Sequence, residues 1–388
     1  MRAEEIREHL TKDIIPFWKH LRDDENGGYY GWMDFEHKVD KKAVKGCILN
    51  SRITWFFANA YTLLKDESLL DEARHGFEFI KDHCWDKVNG GVFWSVKYDG
   101  TPEETIKHTY NQAFSIYALS SYYEASGDRE ALDMAYQLYD LIENKMRDEL
   151  GYKEAFDETF HEIDNDKLSE NGVMAMKTMN TLLHVFEAYT ELYRVDHKQE
   201  VKEHLMWMMD LIAGKIYNSK LHRQEVFFDD KWNSIIDLHS YGHDIETAWL
   251  MDETLDIIGD AALTERISKI TRDLTAETFK EAFDGRSFPI ECEKGVVNEH
   301  RVWWAQAENV VGLINGYQRQ GKREYLDGAL AQWNFIKEFV VDKRPGSEWF
   351  WEVDKEGKHY PDRPIVEPWK CPYHNGRMCF EVIKRLGK

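Results

Sequence analysis

The sequence predicts an all-α fold, an (α/α)6 barrel of six inner and six outer helices, on three observations. An aromatic, acidic, Gly-bearing turn recurs along the 388 residues; two helical segments lie between successive turns; and one helix of each pair is apolar on nearly every side. The turns are DDENGGYYGWMD from Asp23, DKVNGGVFWSVKYDG from Asp86, DELGYKEAFD from Asp148, RQEVFFDDKW from Arg223, FDGRSFPIECEKG from Phe283 and GSEWFWEVDKEGK from Gly346. They follow one another at about 60 residues, with one interval of about 75, a period that belongs to a repeat architecture.

Each interval carries i, i+3, i+4 apolar periodicity twice. SLLDEARHGFEFIKDH is followed by IKHTYNQAFSIYALSSYYEA, and TERISKITRDLTAETFKEAF by VWWAQAENVVGLINGYQR. Counting these segments predicts about twelve helices in six pairs. Such pairs can stack as an open solenoid or close into a ring. Segments such as LNSRITWFFANAYTLL, VMAMKTMNTLLHVFEAYTELY and SYGHDIETAWLMDETLDI decide for the ring, because a helix apolar all round needs an interior. Turns and short hairpins should then line one rim. No Pro, Gly or Ser-rich linker divides the chain, so residues 1–388 read as one domain.

Composition narrows the function. With 43% hydrophobic and 14% aromatic residues, a large core is expected, and some aromatic excess suits a site that stacks sugar rings. Fifty basic against 71 acidic residues give a net charge of -21, which repels phosphate backbones and anionic membranes, so neither is an expected partner. No segment reaches the roughly 18 apolar residues of a membrane span, and no signal core opens the chain. Five cysteines without CxxC or zinc-ligand spacing fit reduced thiols, and the expected location is the cytoplasm. An acidic chain closed into a ring has no edge to cover, which favours a monomer.

The heads of the presumed inner helices carry the polar residues that a closed ring would bring together. In chain order they are Asn50 and Arg52, Tyr110 and Asn111, Asn180 and His184, His243 and Glu246, Trp304 and Glu308, and His374 and Arg377. Spacings of three or four place the last four pairs each on one helix face. A single histidine on an apolar helix is ordinarily a hydrogen-bonded core residue, but so many polar groups at equivalent positions cannot all be satisfied inside a dry core. His239, one turn before His243, is read as a loop neighbour, and His75, His83, His161, His197, His204 and His222 as surface residues. Two opposed carboxylates would suit a glycosidase, with Glu246 and Glu308 as the pair. Each shares its face with a His or Trp, however, and reads better as an orienting partner or an acceptor for sugar hydroxyls. No HExxH, GxGxxG or P-loop is present, so neither a metal nor a nucleotide cofactor is expected. Histidines, with an ordinary pKa of about 6.5, suit proton transfer beside a carbonyl. His243 and His374 are the acid/base pair of this reading, Arg52 is the cation placed to stabilise an enediolate, and Arg377 is a weaker candidate for that task.

At these residues the chain resembles the N-acylglucosamine 2-epimerase superfamily over its whole length. The most specific stretches are KGCILNSRITWFFANAY, MKTMNTLLHVFEAY, SYGHDIETAWL and EPWKCPYHNGRMCFE. The resemblance implies an (α/α)6 barrel and a cofactor-independent epimerisation at C2 of a reducing-end glucose. The implied substrates are cellobiose, converted to 4-O-β-D-glucopyranosyl-D-mannose, and the related lactose and mannobiose. It further implies ring opening, His243 and His374 as acid and base, and Arg52 as stabiliser of the enediolate. Tyr110, Asn180, His184, Glu246 and Glu308 would surround the reducing-end sugar, with Trp304 and Trp369 as aromatic platforms. The rival reading is an aldose–ketose isomerase on the same scaffold, since one enediolate can be protonated at C1 or at C2.

Overall fold

The computed structural model describes residues 1–387, and twelve helical rods account for most of them. Helix α1 runs through Ala3–His9, Leu10–Ile14 and Ile15–His20. The others are α2 (Cys47–Leu64), α3 (Glu67–Phe79), α4 (Thr109–Ser126), α5 (Arg129–Lys145), α6 (Met179–Asp196), α7 (Gln199–Leu211), α8 (Tyr241–Ile258), α9 (Ala261–Ala282), α10 (Trp303–Gln320), α11 (Arg323–Phe335) and α12 (Tyr373–Leu386). The even-numbered helices pack side by side in the order α2, α4, α6, α8, α10, α12 and back to α2, so the ring is closed. The odd-numbered helices lie outside it. The sixth pair joins opposite ends of the sequence, since α1 packs on α12.

The inner helices are those the sequence marks as apolar all round. Every side chain from Cys47 to Ala58 is buried in α2, and α4 is buried from Thr109 to Tyr122. Such helices have no solvent face, and only a second layer can cover them. Where α12 meets α2 the approach is very close: a β-carbon on Gly376 would fall 2.5 Å from the Phe56 ring. Five inner helices end on a left-handed residue, namely Lys65, Gly127, His197, Gly259 and Gly321, and the outer helix starts within two residues. Asp66, Asp128 and Asp260 cap three of those starts by accepting a backbone N–H. One end of the barrel is therefore sealed by tight hairpins, and all long crossovers lie at the other.

Small antiparallel sheets form in these crossovers. The strands Lys45–Gly46, Lys107–His108, Lys177–Thr178, Leu238–Ser240 and Arg301–Val302 each lead directly into an inner helix. The recurring acidic turns find their purpose here. Asp23, Asp86, Asp148 and Asp284 each accept N–H groups two and three residues ahead. The same carboxylates bind a buried cation two residues before an inner helix: Lys45 at 2.6 Å, Lys107 at 2.6 Å, Lys177 at 2.8 Å and Arg301 at 2.7 Å. Lys370 and Glu348 make the corresponding pair ahead of α12 at 2.5 Å. The fourth repeat departs from the pattern. His239 takes the cation's place and binds Asp244 of α8 itself at 2.9 Å.

These clamps are buried, so losing one partner strands the other. Lys107→Met is expected to cost about 3 kcal/mol in urea unfolding, and Lys107→Met with Asp86→Leu to recover most of it. Equal stabilities of the single and double variants would refute the clamp. Burial alone would raise the Asp86 carboxyl, but Lys107 and the N–H groups of Asn89 and Val88 outweigh it and hold it at about 2. Its contribution is therefore complete above about pH 4 and is lost as the pH falls through about 2.

Candidate active site

A cavity of about 230 Å³ opens at the crossover end, over the N-terminal turns of the inner helices. Arg52 of α2, Tyr110 of α4, Asn180 and His184 of α6, His243 of α8, Trp304 of α10 and His374 of α12 all line it, together with Trp369 from the crossover into α12. The ring order puts Arg52 across from His243 and His184 across from His374. His243 and His374 come from the two helices flanking α10, and the Trp304 ring lies 4.6 Å from the first and 5.5 Å from the second. Trp304 can sit there because residue 242 is glycine: a β-carbon at Gly242 would come within 2.6 Å of its ring.

Each histidine has one nitrogen engaged by the protein. Nδ1 of His374 bonds Oε1 of Glu308 at 2.7 Å, Nδ1 of His184 bonds Oε2 of Glu187 at 2.8 Å, and Nδ1 of His243 lies 2.7 Å from Oγ of Ser240. A carboxylate only accepts, so His374 and His184 hold their proton at Nδ1 and keep Nε2 as a lone pair. Serine hydroxyl can donate or accept, which lets His243 present either form. Burial pushes all three imidazoles down, His243 to about 3, which favours their neutral forms.

Arg52 is 2% exposed and has no carboxylate partner among the described residues. Its Nη2 donates to the Tyr110 hydroxyl at 2.8 Å, while Nη1 makes only long contacts, 3.5 Å to the Trp369 carbonyl and 3.9 Å to Sγ of Cys371. The guanidinium lies 4.0 Å from the centre of the Phe114 ring and 5.0 Å from that of Tyr373, and its Nε is buried without an acceptor. Oδ1 of Asn180 and Nε1 of Trp303, on two other helices lining the same cavity, are likewise buried and unpartnered. Buried polar groups are nearly always satisfied, so three unsatisfied ones around one cavity call for polar partners there, from water or from a ligand.

Arg377 behaves in the opposite way. It lies beneath the cavity floor, where Nη1 binds Glu187 and the Tyr373 hydroxyl and Nη2 binds Oε1 of both Glu246 and Glu308. With its guanidinium consumed by three carboxylates, it is no candidate for holding an enediolate. Glu246 and Glu308 lie with it behind His374, not on the cavity wall. Burial and the adjacent Glu308 push Glu246 well up, and burial also raises Glu308 against the pull of Arg377. For Glu187, burial is outweighed by Arg377 and His184, which hold it at about 2. Glu246, Glu308 and His374 offer ligand atoms within 4.8 Å of one another, but Nη2 of Arg377 already donates to both carboxylates, so that donor set serves a guanidinium and not a metal.

Asn50 and Asn111 also turn away from the cavity. Oδ1 of Asn50 accepts the Tyr29 N–H, and Nδ2 of Asn111 donates to the Phe93 carbonyl. Asn50 is about 200° around the helix from Arg52, so the two cannot share a face. His239 is a strand residue that ties Asp244 beside the catalytic candidate rather than lining the pocket. His161, His197 and His222 are exposed, whereas His75, His83 and His204 are half-buried and hydrogen-bonded. The sequence reading missed Glu187, Ser240, Trp303 and Trp351, and the carboxylates Glu170 and Glu291 at the cavity mouth. Glu187 was within reach, standing three residues after His184 on the same face.

A second cavity of about 240 Å³ lies at the sealed end, lined in part by Arg194, Glu124 and Glu191, which pair among themselves, and by Lys384 with Glu381. None of its lining residues is a histidine.

The profile of the family described as N-acylglucosamine 2-epimerase matches residues 14–376. A cellobiose 2-epimerase from Eubacterium cellulosolvens is 50% identical, with 99% of this chain and 98% of that protein covered. A crystal structure of a sugar epimerase from a ruminal bacterium superposes with a TM-score of 0.97 at 48% identity, covering 99% of this chain and 98% of that one. A D-mannose isomerase from Marinomonas mediterranea is 22% identical over 98% of this chain and 97% of that protein.

Proposed function

The chain belongs to the N-acylglucosamine 2-epimerase family, and from that footing we propose that it inverts C2 of the reducing-end glucose of cellobiose and related β-1,4-linked disaccharides, with His243 and His374 as its acid and base. The observation that carries this reading is the pairing of two histidines, each fixed through Nδ1, with a buried arginine that has no anion of its own. In the opened sugar, Nε2 of one imidazole takes the C2 proton. The C–H electron pair becomes the C1–C2 double bond, and the carbonyl oxygen takes the negative charge beside Arg52. The second imidazole, protonated at Nε2 from solvent as the anion forms, gives that proton to the other face of C2, C1=O re-forms while the first imidazolium releases its proton to solvent, and the ring closes as mannose. The enediolate's charge favours the protonated imidazole that burial alone disfavours. Glu308 backs His374 in its imidazolium form.

Asn180, with a free Oδ1, and His184 suit sugar hydroxyls, and Trp304 and Trp369 suit the apolar faces of the two rings. Glu246 and Glu308 act through His374 and Arg377. No helix among the described residues is long and apolar enough to cross a membrane. The five free cysteines, four of them buried, fit a reducing cytoplasm, and the closed ring fits a monomer.

Cellobiose incubated with the protein in heavy water should acquire deuterium at C2 as a mannose-ended product appears by NMR. Absence of exchange would refute proton transfer at C2. Exchange with a dominant fructose-ended product would make the enzyme an isomerase of the mannose-isomerase kind.

A further inference from the structure

We propose that the same cavity binds the aldonate forms of its disaccharides, those carrying a carboxylate at C1, as competitive inhibitors, and that Arg52 is the partner of that carboxylate. The inference rests on the function proposed above for the cavity. It starts from an imbalance of charge. Arg377 is surrounded by Glu187, Glu246 and Glu308, whereas Arg52 has a tyrosine hydroxyl, a distant carbonyl and a thiol. A buried cation without an anion gains strongly when a ligand supplies one, through charge-assisted hydrogen bonds to a guanidinium that is only 2% exposed.

An aldonate matches what the reacting sugar becomes. Its C1 is planar, carries two oxygens and bears one negative charge, as the C1 end of an enediolate is planar and anionic, and a site complementary to an intermediate binds its stable mimics more tightly than the substrate. Nη1, which makes only long contacts, and Nη2, which gives one of its two N–H groups to Tyr110, form the terminal edge of the Arg52 guanidinium and provide two donors for the two oxygens. Glu367, in the crossover into α12, is within electrostatic reach of Arg52 but makes no ion pair with it, and its carboxylate already accepts the N–H groups of Trp369 and Lys370. Of the carboxylates lining the cavity, Glu291 lies on a strand paired with the one leading into α8, across the ring from α2, and Glu170 in the crossover into α6, two inner helices away. The rest of the disaccharide keeps the contacts that the substrate makes.

Titration calorimetry on the full chain with cellobionate, and with the neutral alcohol cellobiitol as the matched control, tests this. The expected result is a cellobionate Kd about tenfold or more below that of cellobiitol, with inhibition competitive against cellobiose. In Arg52→Gln the ratio of the two constants should fall to about one. If that variant does not fold by circular dichroism, Arg52→Lys serves, because it keeps the charge but loses the fork, and the ratio should fall at least about threefold. Equal affinities in the unmodified protein, or a ratio unchanged in whichever variant folds, would overturn the proposal. If heavy-water exchange at C2 proceeds while the ratio is one, this inference alone fails; if neither compound binds and no exchange occurs, the proposed function fails with it.

Discussion

Replacing His374 by alanine should lower the turnover of C2 epimerisation by about 10²–10⁴-fold, the range for removing a positioned acid or base. The far-ultraviolet circular dichroism should be unchanged. The change removes an imidazole whose Nδ1 is held by Glu308 at 2.7 Å and whose free nitrogen belongs to the cavity. His243→Ala should lose activity to a similar degree, because a proton must leave one face of C2 and return to the other. Partial reactions separate the two roles: a variant lacking the base for one direction can still exchange deuterium into the epimer from which the surviving histidine abstracts. Epimerisation at the unmodified rate in either variant would remove that histidine from the mechanism. Glu308→Gln gives a milder comparison. The amide keeps an acceptor for Nδ1 but no charge to support imidazolium, so kcat should fall, and the pH profile shift, without a matching change in KM.

Arg377→Met should be the most destabilising single change in the barrel. It leaves Glu187, Glu246 and Glu308 together in the interior with no cation between them, and removing one member of a buried ion pair already costs about 3–5 kcal/mol. The urea midpoint should fall accordingly, and activity with it, since Glu308 orients His374 and Glu187 orients His184. Adding Glu187→Gln to Arg377→Met should recover part of the stability by removing one stranded charge. A variant of normal stability would show that the three carboxylates do not depend on Arg377.

Much of this was legible because the repeat acts as a coordinate system. The helix count, the inner and outer sets and the convergence of His184, His243, His374 and Arg52 follow from residues occupying equivalent places in successive repeats. The reading failed where the exact helix face mattered. Arg377 stands three residues after His374, and that turn carries it beneath the floor while His374 stays on the wall. Asn50 and Asn111 looked like members of the polar set, yet they secure the turns that precede their helices. Ser240, Trp351, Glu170 and Glu291 belong to crossovers, where no periodicity relates sequence position to direction. The acidic turns were visible as a pattern, but their buried cation partners 17 to 29 residues ahead emerge only with the fold.

The sixth helix pair has a kinetic consequence. Five pairs are hairpins whose members are neighbours in the chain and meet after closing a loop of a residue or two, whereas α1 and α12 must find each other across more than 350 intervening residues. That contact has the greatest loop-closure entropy in the molecule and should form late. Because α12 also carries His374 and Arg377, the site is expected to be completed only when that late contact forms. Partly folded chains would hold a nearly complete barrel and no working site, and recovery of activity during refolding should lag behind recovery of helical signal.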